Sequence, residues 1–249
     1  MYPKGDMACT GAWDEPDVSI DQVVRESKPG DLIEYKGRGL DAWFIQCMSG
    51  VCSGSSKYSH VGVVVEVGKR KGVTEAYPTV IGKDLITGTE HTGVQVVDLR
   101  ARLSSYPSGH VMWRPMTKRK TSGTREASAR FERYYKRLVR EGLPEYNLGG
   151  RCFLATGIDW YEYSTLTDGD DNGGRYVCTQ WAMQVLRVMG MARGDGKPGN
   201  VSFYQLSQGQ PPGLVLDQYE YGACHVVDTS ENAAGAGAGA APTRAVMRK

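Results

Sequence analysis

The stretch Tyr58-Ser59-His60-Val61-Gly62-Val63-Val64-Val65-Glu66-Val67 carries the strongest strand signal in the chain of 249 residues. Its valines are β-branched, which favours extended backbone. Toward the middle of the stretch they occupy both faces, which is typical of a central strand covered on both sides. The sequence therefore predicts a sheet built around this strand, with His60 at the strand's start, behind a loop.

Turn residues follow, and residues 73–77 then predict the return strand of a hairpin. Glu75 is a carboxylate inside this otherwise apolar strand, which is costly unless the charge is paired. A hairpin that turns at 67–68 sets Glu75 opposite His60, whereas a turn centred on Arg70 sets the two on opposite faces. The sequence leaves that register open.

A second informative stretch runs from Gly173 to Leu186. Two glycines come first, and apolar residues then recur at positions 177, 181, 185 and 188, which is helical spacing. Cys178 falls in the first turn of this predicted helix. Free backbone N–H groups and the helix dipole there favour a thiolate. A buried, inert cysteine is the alternative, and the commoner fate of a lone cysteine in a helix.

Composition limits the classes of partner. Lys and Arg number 30 against 28 Asp and Glu, so the net charge of +2 gives no case for specific nucleic-acid binding or an anionic membrane. No apolar run approaches about 18 residues, so we expect no transmembrane segment. Residues 1–22 are acidic in part and lack the apolar core of a secretory signal.

The six cysteines stand at positions 9, 47, 52, 152, 178 and 224 and form no CxxC pair. We therefore expect reduced thiols and a cytoplasmic or other reducing compartment. No pair has the usual spacing of zinc ligands. The acidic loop at 167–172 lacks the glutamate that closes a calcium loop. We expect no metal and no other cofactor.

The other patterns predict further elements and three regions. Strands are predicted at 31–35, 93–99, 110–114 and 213–219, helices at 40–48, 124–142 and 151–162, and a helical turn at 203–206. The apolar side of the helix at 124–142 is predicted to carry Phe131, Tyr134, Tyr135, Leu138 and Val139. We expect an irregular segment at 1–22, one domain at 23–225 and a disordered Ala/Gly-rich tail at 226–249.

The order of the reactive residue types is informative. His60 opens a central strand, Glu75 lies fifteen residues later, and Cys178 opens a later helix. A cysteine, a histidine and an orienting acid are the minimum for thiol-based acyl transfer. A hydrogen-bonded structural histidine is the alternative for His60.

The order of histidine before cysteine resembles the circularly permuted NlpC-type papain-like hydrolases, the YiiX-like group with bacterial and poxviral relatives. The matching pieces are Pro29-Gly30-Asp31-Leu32-Ile33, Ser59-His60-Val61-Gly62-Val63-Val64, Thr74-Glu75-Ala76, Gly93-Val94 through Leu99, Tyr146-Asn147 and Tyr176-Val177-Cys178-Thr179-Gln180. Family members usually carry Asp after the tyrosine and Ser-Glu after the cysteine. Asn147 and Thr179-Gln180 take those places here.

The resemblance implies an α+β fold with an antiparallel sheet, packed helices and a permuted papain-like arrangement. It implies hydrolysis of amide bonds, peptide or aminoacyl, by a Cys178–His60–Glu75 triad and an acyl-enzyme. The N–H of Cys178 is then the first oxyanion donor. Tyr58 and Thr179 are further candidates for oxyanion or substrate contacts, and ordinary aromatic packing is the alternative for Tyr58.

Two other classes of function stay open: a lipid acyltransferase or thioesterase like the lecithin retinol acyltransferase group, and a structural or virion-associated protein that retains the fold. The partner expected is a peptide, amide or acyl substrate, and the oligomeric state is left open. The catalytic hypothesis predicts that the Cys178 sulfur lies about 3–4 Å from a ring nitrogen of His60. It also predicts that iodoacetamide at about pH 6 labels Cys178 before the other five cysteines.

Overall fold

The computed structural model describes residues 16–36, 59–107, 110–118, 124–146, 175–193, 215–216 and 220–230. The strands are β1 (Val18–Ser19), β2 (Leu32–Tyr35), β3 (His60–Val67), β4 (Arg70–Tyr77), β5 (Gly93–Asp98), β6 (Val111–Arg114), β7 (Met116–Lys118), β8 (Glu145–Tyr146), β9 (Arg175–Tyr176), β10 (Ala192–Arg193), β11 (Val215–Leu216), β12 (Glu220–Tyr221) and β13 (His225–Asp228). The helices are α1 (Ile20–Glu26), α2 (Leu99–Ser104), α3 (Thr124–Glu141) and α4 (Cys178–Val188).

The main sheet of the described residues has seven strands in the order β1-β13-β6-β2-β3-β4-β5. Its pairs are antiparallel except for the parallel pair of β1 and β13. The valine-rich strand β3 lies between β2 and β4, as its two apolar faces predict. This mostly antiparallel sheet with packed helices confirms the α+β class.

The β3–β4 hairpin turns at Gly68 and Lys69, because Val67 pairs with Arg70. Gly68 has φ +62°, a left-handed conformation that glycine adopts without strain. Neither of the two turns considered from the sequence is the observed one. The register still sets the side chains of His60 and Glu75 on the same face of the sheet, two positions apart.

Each face of the sheet is covered by its own core. One core joins apolar side chains of the sheet to α3 and α4, and its strand residues are Leu32, Val61, Val63, Val65, Ala76, Val94 and Val96. The other core lies against α1 and α2, and its strand residues are Val18, Ile33, Tyr35, Val64, Val73, Val97, Val111, Trp113 and Val227. Successive side chains of a strand point to opposite faces of the sheet, and this alternation determines which helices each side chain packs against.

The helix ends follow from local sequence. Ser19 caps α1 by accepting from the Gln22 N–H at 3.1 Å, and Asp98 caps α2 by accepting from the Ala101 N–H at 3.1 Å. Val177 precedes α4 and has no polar side chain, so Gln180 reaches back and accepts from its N–H at 3.1 Å. None of the helices among the described residues has both the length and the apolar character needed to cross a bilayer.

The Gly30-Asp31 motif joins β2 to the neighbouring strands. Asp31 is buried and accepts hydrogen bonds from the Lys28 N–H, the Trp113 indole and the Met116 N–H. Gly30 has φ +95°, and a Cβ there would lie 2.4 Å from the Met191 sulfur. Both residues of this motif therefore have structural roles.

Several expectations differ from the structure. The apolar side predicted for the helix at 124–142 includes Val139. This side chain is 38% exposed, because Val139 lies at the edge of the apolar stripe. β1 and the start of α1 fall within the segment expected to be irregular, and β13 continues beyond 225. Both strands belong to the main sheet, because β1 pairs with β13 and β13 also pairs with β6.

Other predicted features lie outside the described residues: the helices at 40–48 and 151–162, the helical turn at 203–206, the loop at 167–172 and most of the tail. Of the strand predicted at 213–219, the described part is Val215–Leu216. Strands β12 and β13 follow it and were not predicted.

Gly62 is required where β3 passes beside Glu75. A Cβ at this position would lie 2.5 Å from Val73 Cγ2 and 2.8 Å from Glu75 Cγ. We expect Gly62→Ala to lower the free energy of unfolding by about 1–3 kcal/mol, because overpacking forces neighbouring atoms apart. Chemical denaturation measures the change. The double variant Gly62→Ala/Val73→Ala should recover part of it, and full wild-type stability in the single variant would contradict the close approach.

Candidate functional site

His60 and Glu75 form a direct buried pair. The Nε2 atom of His60 lies 2.6 Å from Oε2 of Glu75. The two residues are 6% and 0% exposed, respectively. Because Glu75 is ionised, Nε2 carries the proton and donates it to the carboxylate. In the neutral imidazole this leaves Nδ1 as the basic nitrogen.

Arg102 and Tyr35 complete the surroundings of Glu75. Arg102 donates from Nε to Oε1 at 2.9 Å and from Nη2 to Oε2 at 2.8 Å, a bidentate contact. The Tyr35 hydroxyl donates to Oε1 at 2.7 Å. With the bond from His60, each carboxylate oxygen accepts two hydrogen bonds, so the buried charge is fully satisfied.

The rings around His60 come from two strands. Tyr35 of β2 stacks on the imidazole with centroids 5.4 Å apart, and Tyr77 of β4 meets it edge-on at 4.9 Å. These contacts, together with the bond to Glu75, fix the plane of the imidazole.

Burial and charge determine the protonation of this cluster. Burial alone raises the pKa of Glu75, but the charges and hydrogen bonds of Arg102 and His60 outweigh it, so the pKa lies well below its usual range. For His60, burial lowers the pKa, Glu75 raises it and Arg102 lowers it, and the net shift is downward. At neutral pH the cluster therefore contains a carboxylate, a guanidinium and a neutral imidazole.

Cys178 is the first residue of α4 and is 4% exposed. Burial raises the pKa of its thiol to about 12, although hydrogen bonds from the backbone of Val61, Thr179 and Cys178 itself lower it. The sequence predicts a lowered pKa for this thiol, from its place at a helix start and from the proposed neighbour His60. That expectation is wrong for this structure, because removal from water outweighs the N–H groups, and preferential alkylation in mild acid no longer follows.

The structure brings His60 and Glu75 into contact and sets Cys178 beside Val61, the next residue after His60. The Cys178 thiol and the His60 ring make no direct hydrogen bond to each other. Cys178 belongs to the core shared with α3 and α4, whereas Glu75 bonds Tyr35 and Arg102 on the face covered by α1 and α2. The backbone of Val61 thus contacts the Cys178 thiol, and the preceding residue, His60, contacts Glu75 on the other face of the sheet.

The further candidates for substrate contacts have different outcomes. Thr179 is 1% exposed, and its hydroxyl makes no hydrogen bond. Tyr58 lies outside the described residues. Gln180, which the resemblance placed at a family position, caps α4 through the Val177 N–H. Among the described part of the chain, no group of three or more His, Cys, Asp or Glu could hold a metal ion.

Cys224 differs from the expectation of six reduced thiols, because it is disulfide-bonded. The Arg114 Nε also donates to its sulfur at 3.1 Å. The expectation rested on spacing along the chain, which does not report which cysteines the fold brings together. Cys178 is a free thiol.

Arg102 and Tyr106 were not identified from the sequence. Arg102 lies between Leu99 and Leu103 on α2, and both leucines are buried. An arginine that shares the apolar face of a short helix was the available signal, since a buried cation needs an anion. Glu75 is that anion.

The stability of the domain should fall with acidification. His60 and Glu75 both have folded-state pKa values below their unfolded values. Each contributes stability that is present above its unfolded pKa and lost as pH falls toward the folded value. We expect loss to begin near the unfolded histidine pKa of about 6.5, with a second loss below about 4.3.

Thermal unfolding across this pH range measures the effect. One proton contributes a slope of at most about 1.4 kcal/mol per pH unit. His60→Gln should remove the first of the two losses, because glutamine does not titrate. Equal slopes for wild type and His60→Gln would show that His60 is not buried in its neutral form.

Comparisons with known proteins give a likeness among solved structures but none in sequence. The chain matches no protein-family model. No curated protein is similar to it in sequence. Among solved structures it is similar to the crystal structure of metalloprotein yiiX from Escherichia coli O157:H7, described as DUF1105. The identity is 15%, the TM-score 0.40, and the match covers 80% of this chain and 97% of that chain. A likeness at this level assigns no function.

Proposed function

We propose that this chain is a thiol hydrolase that cleaves amide bonds of peptide or aminoacyl substrates, in a domain of permuted papain-like fold. Cys178 is the nucleophile, His60 the general base and Glu75 the residue that orients His60. The observation that carries the proposal is the 2.6 Å bond between His60 and Glu75, which leaves Nδ1 as the base. The Cys178 sulfur accepts a hydrogen bond from the backbone of Val61, the residue that follows His60.

In the resting state of the proposed site, the Cys178 thiol and the His60 imidazole are both uncharged. Burial disfavours the Cys178 thiolate and the His60 imidazolium alike, so a preformed ion pair is not the starting point. His60 Nδ1 therefore takes the thiol proton as the sulfur attacks. This step requires the sulfur and Nδ1 to approach each other in the substrate complex. Catalytic hydrogen bonds are often long before substrate binds.

The acyl transfer then follows from the same residues. The sulfur forms a bond to the carbonyl carbon, and the resulting oxyanion accepts from the N–H of Cys178 at the start of α4. His60 returns its proton to the departing amine as the C–N bond breaks, leaving a thioester on Cys178. A water that loses a proton to His60 hydrolyses the thioester and restores the thiol.

A structural role is the second candidate, and one observation favours it. Cys178 is nearly inaccessible, and the Glu75 carboxylate is fully satisfied by hydrogen bonds. A closed network of this kind also stabilises a fold without any chemistry. In that case neither hydrolysis nor an acyl adduct on Cys178 occurs in the folded protein.

A substrate panel tests the proposal. It contains aminoacyl and dipeptidyl amides with a fluorescent leaving group, the matching esters and thioesters, and phospholipid vesicles. We expect turnover of amides near neutral pH and an adduct of the acyl mass on Cys178. Transfer from phospholipid alone would replace the proposal with the acyltransferase class. No turnover of any substrate, with no adduct, would leave the structural role.

A further inference from the structure

We propose that Arg102 is a positioning residue for His60. It holds Glu75 by both carboxylate oxygens, and its positive charge keeps the imidazole in the neutral form that accepts a proton from Cys178. This inference rests on the proposed hydrolase and identifies what regulates its base. Arg102 itself acts only through Glu75 and His60.

The first support is the geometry of the guanidinium. Arg102 projects from α2, is 7% exposed and contacts both oxygens of Glu75 at 2.9 and 2.8 Å. Two parallel bonds from a planar group fix the rotation of the carboxylate as well as its position. The Oε2 atom that faces His60 is one of the two oxygens held in this way.

The second support is the set of rings that holds the guanidinium. Its carbon lies 5.0 Å from the ring centroid of Tyr35, 5.2 Å from that of Tyr77 and 4.8 Å from that of Tyr106. Arg102 Nη2 also lies 3.2 Å from the Tyr106 hydroxyl. Planar stacking and two-point bonding are properties of arginine that lysine lacks. The site is therefore built for arginine in particular.

The third support is the inventory of charges near His60. β2 contributes Tyr35, β4 contributes Glu75 and Tyr77, and α2 contributes Arg102, while Tyr106 follows the end of α2. Burial raises the pKa of Tyr35 and of Tyr106, so both stay neutral phenols. The Cys178 thiol, beside Val61, is neutral for the same reason. Glu75 and Arg102 are therefore the opposing charges in this group.

These two charges act on His60 in opposite directions. Glu75 favours the imidazolium, and Arg102 disfavours it. Without Arg102, His60 would be the remaining residue of this group that could carry a positive charge beside the buried carboxylate. The imidazole would then bind a proton to neutralise Glu75 and would no longer serve as a base at neutral pH.

The test is an NMR titration of the His60 ring in the full chain. The chain has four histidines, so His60→Gln assigns the signal by its loss. We expect Arg102→Gln to raise the His60 pKa by at least about one unit, a tenfold rise in proton affinity. Tyr35→Phe is the matched control, because it removes a hydrogen bond to Glu75 and leaves every charge in place. A shift in Arg102→Gln no larger than in Tyr35→Phe would overturn the proposal.

Arg102→Lys provides a second test if Arg102→Gln does not fold. Lysine keeps the charge but not the two-point contact. The His60 pKa should therefore stay near the wild-type value, while the low-field signal of the Nε2 proton, which reports the bond to Glu75, should shift or broaden. A wild-type Nε2 proton signal in Arg102→Lys would contradict the positioning role, and a His60 pKa raised as in Arg102→Gln would contradict the charge role.

Neither NMR measurement uses a substrate, so the two proposals can fail separately. If no hydrolysis is found, the titration still shows whether Arg102 controls the protonation of His60. If hydrolysis is found and the titration does not move, the hydrolase stands and the role of Arg102 falls. If both hold, the acidic limb of the rate profile in Arg102→Gln should move to higher pH with the His60 pKa.

Discussion

Replacing Cys178 with alanine is expected to lower turnover of the amide substrate at least about a thousandfold, because the chain then has no nucleophile at the start of α4. The fold should persist, since alanine fits the space and leaves the network of Glu75 untouched. Circular dichroism and the thermal midpoint check the fold, and initial rates with the fluorogenic amides give the turnover.

Met183→Leu provides the matched control for this loss. Met183 is a buried residue of the same helix, five positions on, and the change keeps its volume and apolar character. Its turnover should stay within about threefold of wild type. Equal activity of Cys178→Ala and wild type, with both folded, would remove Cys178 from the chemistry.

Replacing His60 with alanine is the second large effect that we expect. Loss of the general base should lower turnover by about a hundredfold to ten-thousandfold. Glu75 keeps its two bonds to Arg102 and its bond from Tyr35, so no buried charge is left unpaired. Steady-state rates across mildly acidic to mildly basic pH measure the loss and should also lack the acidic limb seen in wild type.

His91→Ala is the matched control for a histidine elsewhere in the fold. Its Nε2 lies 3.0 Å from the Val94 carbonyl, and the side chain is mostly buried, so the substitution removes a comparable structural contact. Turnover should be retained in His91→Ala. A similar loss in both variants would attribute the effect of His60→Ala to general loosening of the sheet.

The long elements could be predicted from the sequence because each carries a strong pattern. The valines of β3 alternate on two buried faces, and the apolar spacing of α4 places Cys178 in its first turn. Strands of two residues, such as β12, are too short to show any period. Their existence depends on partners elsewhere in the chain, as with the pairing of β1 and β13.

Part of the candidate site could also be predicted from local sequence patterns. The residue types His60 and Glu75 could be selected because a carboxylate in an apolar strand needs a partner. The hairpin register that brings them together depends on the turn at Gly68. The sequence left two other registers open and did not identify this one. Arg102 could not be paired with Glu75 from sequence, since β5 and its turns separate them. The burial of Cys178 depends on tertiary packing and reversed the expected direction of its pKa.

Glu75→Gln illustrates how the structure changes an expectation. From the sequence, this substitution should preserve the fold and lower turnover through His60. The structure adds Arg102, whose buried charge would lose its carboxylate. A loss of stability is therefore expected beside the loss of turnover, and the two are separated by measuring rates well below the thermal midpoint.

Peptide mapping of the folded protein after reaction with an activated acyl donor tests the central claim most directly. The probe is the thioester of the preferred acyl group in the panel, applied near neutral pH and quenched in acid to preserve the adduct. The account predicts an acyl group on Cys178 in wild type and far less in His60→Ala. Acylation of Cys178 only after denaturation would show a buried core thiol and contradict the account.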